Sequence, residues 1–306
     1  MALLTAGLAL LPIVVGALVT TRDAGMAFRD WPSSDGQNML LYPWLKSAGD
    51  KFLEHGHRLA GIAIGLASIG LAVMAAVYER RRWVAVLAGS ILAGVVAQGV
   101  LGGQRVLLDA RSLAFVHGSC AALVFALLAS MATVTGRGWF NAANGKPVPA
   151  MPGVKLLSYA TAATVFVQFV LGGMVRHQGM VLYEHLGFAF VVAGLTVFLA
   201  CTVLGLGVEW LSAPGLALAL LTILQLGLGA AAWIAKFGWG DSVVVYGSPF
   251  QIISRTAHVL GGMLLFMTSV VLSLRIVRLE WLRKRCVAGP ACEPAANPLG
   301  MRGALQ

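Results

Sequence analysis

Apolar residues along this chain come in long unbroken runs, and polar residues gather in the short segments between them. Eight stretches, about 2–21, 58–77, 83–104, 113–134, 154–175, 182–208, 213–235 and 253–274, are long and poor in charge. A helix needs roughly 20 apolar residues to cross a hydrocarbon layer. The pattern therefore predicts an all-α integral membrane protein with eight transmembrane helices. The runs also repeat. The third reads Gln98-Gly99-Val100-Leu101-Gly102-Gly103, the fifth Gln168-Phe169-Val170-Leu171-Gly172-Gly173, and the seventh Gln225-Leu226-Gly227-Leu228-Gly229-Ala230. The first has a looser form, Pro12-Ile13-Val14-Val15-Gly16-Ala17. Each is followed by a loop and then by a helix with a histidine near its start. The unit is a helical hairpin used four times. It predicts two four-helix bundles, about 1–136 and 154–278, with the same orientation and related by a pseudo-twofold axis along the membrane normal. Residues 137–153 join them as a linker, and 279–306 form a tail without apolar periodicity, expected to be largely disordered.

Composition agrees. The chain is 58% hydrophobic and 11% charged, with mean hydropathy +0.83, which excludes a soluble domain. Its 37 glycines suit close helix–helix approach in lipid, and small-residue faces also permit a homo-oligomer. The net charge of +10 does not indicate nucleic acid, because the cations sit where membrane proteins keep them. Arg80, Arg81, Arg82, Arg137, Lys146, Lys155, Arg278, Arg283, Lys284 and Arg285 follow even-numbered helices. That bias places those ends and both termini in the cytoplasm of a bacterial inner (plasma) membrane, with 22–53 as a long outer loop. The first run reads as a retained helix rather than a cleaved signal. Trp31, Tyr42, Trp44 and Phe52 read as an interfacial aromatic belt. Cys120 and Cys201 lie inside helices, Cys286 and Cys292 in the tail, and none in an outer loop, so no structural disulfide is expected.

Four histidines carry the chemistry: His57, His117, His185 and His258, each leading an apolar run on the same side. Ionisable groups at a membrane edge are costly and usually functional. Neutral imidazoles on facing helices of a bundle are a common way to hold a haem iron. Pairing within halves gives His57 with His117 and His185 with His258. A zinc site would gather four ligands around one ion, usually with Cys or carboxylate among them. Haem propionates want cations, and Arg58, Arg176 and Arg255 stand near the histidines, with Arg105 and Arg111 flanking the His117 helix. Glu54 lies three residues before His57, on the same helix face. A carboxylate there can relay a proton or stabilise positive charge. Glu184 precedes His185, but no other histidine of the set has a carboxylate three before it, which favours the first half as the reaction site. His55 is expected to point away and His177 to lie in an outer loop.

These residues resemble the haem A synthase family, over about 1–278. The carriers are Glu54-x-x-His57-Arg58, His117, His185, His258, and Thr21-Arg22, Ala24-Gly25-Met26 and Asp30-Trp31-Pro32 in the first outer loop. The resemblance implies oxidation of a porphyrin methyl group of haem O to a formyl group, using molecular oxygen and electrons, for cytochrome oxidase biogenesis. It implies that His57 and His117 hold the substrate haem, that Glu54 is catalytic, and that His185 and His258 ligate a permanent haem b. Partners on this reading are haem O, oxygen, an electron donor and a haem O synthase as supplier. Many members carry a cysteine pair in the first outer loop; residues 22–53 have none, which marks a cysteine-free branch. The same four ligands also fit a non-enzymatic dihaem electron-transfer protein or a haem carrier.

Overall fold

A computed structural model describes residues 1–142, 149–240 and 243–288. Among these residues, eight helices are long and apolar enough to cross a membrane: α1 (Ala2–Thr21), α2 (Gly49–Tyr78), α3 (Arg82–Leu107), α4 (Arg111–Thr135), α5 (Val154–Gln178), α6 (Leu182–Gly205), α7 (Glu209–Phe237) and α8 (Pro249–Ala288). Among the described residues there is no β-strand. The chain is thus a multi-pass helical membrane protein, as its runs predict. The helices exceed their apolar runs because polar first turns continue them; α2 begins nine residues before its run. The tail differs from expectation. Helix α8 continues to Ala288, because Ile276 and Leu279 are fully buried in the second core and hold it. The middle of the linker (143–148), the rest of the tail and the side chains of Cys286 and Cys292 lie outside the described residues.

Two prolines shape the helices. Pro12 has no N–H to offer the carbonyl four residues back, and α1 is interrupted at Ala9 between Ala2–Leu8 and Leu10–Thr21. Pro214 similarly withholds a donor from the carbonyl of Trp210, and Arg275 of α8 supplies one instead at 2.7 Å. The α5–α6 connection is only three residues, 179–181. Gly179 takes the left-handed conformation there, and so does Val181, with φ 56°.

The helices form two closed rings. In the first half α1 touches α2, α2 touches α3, α3 touches α4 and α4 returns to α1; in the second, α5 to α8 repeat that order. Between halves α4 meets α5 and α8, and α8 meets α1. Exchanging α1 with α5 and α4 with α8 maps these contacts onto themselves. Each ring has its own apolar core, with Ile64, Leu71, Val84, Ile91 and Leu128 in the first and Leu199, Val203, Leu218 and Leu272 in the second. Both cores lie toward the ends away from the histidines. At that far end Trp139 lies 6.3 Å from Trp83 and 6.4 Å from Trp210, with Arg275 over Trp210 and Arg278 over Trp139 and Trp281. Indole and guanidinium together form an interfacial belt.

The rings of the first outer loop also pack against the protein. Trp31 packs against Gly103 of α3, Tyr42 lies 4.8 Å from the His55 ring, and Trp44 stacks on Phe52 at 5.0 Å. These rings pack on their own loop and helices because the loop folds back over the first bundle.

Candidate functional site

The helix order brings the histidines together in two pairs. His57 (α2) and His117 (α4) have ring centroids 6.2 Å apart and planes at 85°; His185 (α6) and His258 (α8) repeat both values. Each ring lies against a glycine of the preceding odd helix. A Cβ at Gly16 would stand 2.7 Å from Cε1 of His57, at Gly102 3.4 Å from His117, at Gly172 3.0 Å from His185 and at Gly229 3.1 Å from His258. Four residues before each glycine stands Pro12, Gln98, Gln168 or Gln225, and the backbone carbonyl of that residue faces the imidazole. Nδ1 of His57, His185 and His258 is buried without a hydrogen bond of regular geometry.

The donor set fits a bis-imidazole haem. A metal–imidazole bond is about 2.0–2.1 Å, so two imidazoles on opposite sides of one ion have centroids roughly 6.4 Å apart. The observed 6.2 Å matches that in both halves. Ligating histidines commonly direct the other ring nitrogen at a backbone carbonyl, and the carbonyls of Pro12, Gln168 and Gln225 face His57, His185 and His258 in that way. The packing agrees too. Toward the far end, α2 and α3 bury a residue every three or four positions (Ile64, Ser68, Leu71, Ala75; Val84, Ala88, Ile91), whereas none is buried in 56–63 or 92–102. The second half shows the same change over 166–178, 181–191 and 223–234. Among the described residues no group of three or more His, Cys, Asp or Glu is placed to hold a metal ion.

Among the described residues, only the first pair has a buried carboxylate beside it. Glu54 is 3% exposed. One carboxylate oxygen accepts from the N–H groups of Ala27 (2.8 Å) and Phe28 (3.2 Å), and the other from Arg58 at 2.8 Å. Arg58 also donates to the carbonyls of Asp30 (3.0 Å) and Ser33 (2.7 Å). Glu54 and Arg58 thus hold the first outer loop from beneath. Arg105 donates to the carbonyl of Gly25. His55 points away from His57, as its spacing predicts, and is engaged by Ser34 Oγ at 3.1 Å. Asp30 closes the loop tip. Burial raises its pKa, but hydrogen bonds from the Ser33 side chain and the N–H groups of Gly36 and Asp35 outweigh that and hold it below its ordinary value.

The second half is built from cations. Arg176, at the end of α5, donates to Ala17 O (2.8 Å) and Thr21 Oγ1 (2.9 Å) of α1, and Thr256 of α8 donates to Thr21 at 3.0 Å. Arg176 therefore ties the halves together beside the second pair, close enough to Arg255 for the two charges to repel. Glu184, by contrast, is exposed. His177 is on the last turn of α5 rather than in a loop, because α5 runs on to Gln178, and its ring lies beside Gly118, next to His117. The side-chain amides of the repeat belong to the site as well, beyond the residues that charge and spacing single out. Gln168 Nε2 donates to His185 O at 2.8 Å and Gln225 Nε2 to His258 O at 2.9 Å; Gln98, with its amide turned to satisfy both ends, reaches His117 O at 3.0 Å. Their constant spacing from a glycine was the available signal.

Fold and site together define a class: an eight-helix membrane protein made of two four-helix rings, each with one histidine pair. Residues 44–185, just under half the chain, match the family model of the cytochrome oxidase assembly protein, COX15-CtaA. The match includes Glu54, His57, Arg58, His117 and His185, so the resemblance drawn from the sequence stands over that stretch. No curated protein and no solved structure matches the chain.

Proposed function

We propose that this protein is a haem A synthase. The observation that carries the reading is the asymmetry between two otherwise matching sites: the pairs share one geometry, yet among the described residues only the first has a buried carboxylate, Glu54, one turn from a ligand. The overall change converts a ring methyl to a formyl group: R–CH3 + 2 O2 + 4 e− + 4 H+ gives R–CHO + 3 H2O. His57 and His117 hold the substrate, haem O. His185 and His258 hold haem b, which supplies a one-electron relay when bound. Arg176 and Arg255, two neighbouring cations, suit propionates beside the second pair. Glu54 lies where a proton or a developing positive charge can be met by a carboxylate, and Arg58 orients it. The loop carrying Trp31 covers the first site and limits water there. The cation-rich far end faces the cytoplasm of a bacterial plasma membrane, with the histidines toward the outer side.

The test is to express the full chain with a source of haem O, extract the pigment and separate it chromatographically. Haem A or hydroxylated haem O is the expected result. Unchanged haem O and haem b alone would overturn the reading. A second reading, a dihaem electron-transfer protein, is favoured by the identical geometry of the pairs and by the structural engagement of Glu54; that negative result is what it expects.

A further inference from the structure

The repeat behind the histidines is complete in three hairpins and altered in one. Gln98, Gln168 and Gln225 each reach across to the carbonyl of the histidine on the next helix, at 3.0, 2.8 and 2.9 Å. A helix carbonyl has two lone pairs, and its own i+4 N–H uses one. The amide takes the other and ties the ligand's backbone to the wall its ring lies against. An amide in an apolar bundle is costly unless hydrogen-bonded, whereas a leucine there would pack without penalty. Its occurrence at one register three times therefore points to positioning. In the first hairpin the register holds Pro12, which has no donor, and among the described residues no side chain donates to the carbonyl of His57. The wall behind His57 is also interrupted at Ala9, two turns before Gly16.

We infer that the three glutamines are positioning residues for the axial imidazoles, and that Pro12 leaves His57 as the one untethered ligand. The second pair is tethered on both sides and keeps its haem; the first is tethered on one side and exchanges it. This rests on the reading that the pairs hold haem.

The experiment uses the full-length purified protein loaded with haem b, mixed with excess apomyoglobin, and follows haem transfer by absorbance. Wild type should release haem in two phases of similar amplitude. Pro12→Gln should slow the fast phase about tenfold or more. Gln168→Met and Gln225→Met should each speed the slow phase about tenfold, the lower end for supporting groups around a metal ligand, while the starting low-spin bis-imidazole spectrum is unchanged. If the Met variants do not fold, the Pro12→Gln arm decides. A single phase in wild type, or two phases that no variant moves, overturns the inference and leaves the proposed function standing. A wild-type protein that binds no haem at either pair overturns both.

Discussion

Glu54 joins chemistry to architecture in a single side chain. Its three hydrogen bonds all come from donors, so replacing one oxygen by an amide NH2 sets donor against donor. Glu54→Gln is expected to cut product formation by roughly 100-fold or more, the scale of a lost acid–base group, while the second-half haem stays. Arg58→Met keeps the carboxylate and its hold on Ala27 and Phe28 but removes its cation and the contacts to Asp30 and Ser33. Haem A yield, haem content and hydrogen exchange of 22–48 should be read together. An equal loss of product in both variants would mean that Glu54 and Arg58 act as one unit. The glycines make a second residue-scale prediction. Gly16→Ala puts a methyl 2.7 Å from His57, closer than real contacts allow, whereas a Cβ at Gly99 meets nothing within 4 Å. Gly16→Ala should lose first-pair haem by absorbance, and Gly99→Ala should retain it. The histidines and Glu54 were legible in the sequence because charge in an apolar run is conspicuous. The loop groups that hold Glu54 were not, because backbone N–H donors leave no trace in residue type.

Among the elements, the connections are where the structure adds most. Val181 is a β-branched residue in the left-handed region, an arrangement that costs roughly 1–2 kcal/mol. Val181→Asn should stabilise the protein by about 0.5–1 kcal/mol, seen as a higher unfolding temperature; no change would mean that the three-residue connection relaxes. The α2–α3 turn carries a pH dependence. Hydrogen bonding from the Arg81 side chain, aided by its N–H, holds Glu79 below its ordinary value. A depressed acid contributes stability above its unfolded pKa, near 4.3, and loses it as pH falls through the lower folded value. Glu79→Gln should therefore cost about 0.5–1 kcal/mol at pH 7 and progressively less as the pH falls below about 4.3, by denaturant unfolding across that range. The eight spans were legible because each is one long apolar run. The extent of α8 was not, because Arg278, Arg283, Lys284 and Arg285 hide Leu279 in a window of cations. The seat of Trp31 on Gly103 was not legible for a related reason: an indole suits an interface and a glycine seat equally well, and its contacts depend on the fold of the loop.

At the scale of the whole molecule, the halves were visible in the repeat, but their contact was not. Helices apolar on every side do not advertise which face meets a neighbour, and the Arg176–Thr21–Thr256 link joins residues far apart in sequence. The cysteines bear on the whole chain too. Cys120 is half-buried, Cys201 faces outward and both are free. Replacing all four cysteines should leave turnover within about tenfold, roughly 1.4 kcal/mol of barrier; a larger loss in a haem A assay would assign a thiol a role. One consequence lies in the contact order of the rings. Because α8 meets α1 as α4 meets α5, the sequence of the two halves along the chain is interchangeable. A circularly permuted gene, opened within 143–148 and joined from the end of the chain back to Met1, should assemble the same two rings and bind the same complement of pigment.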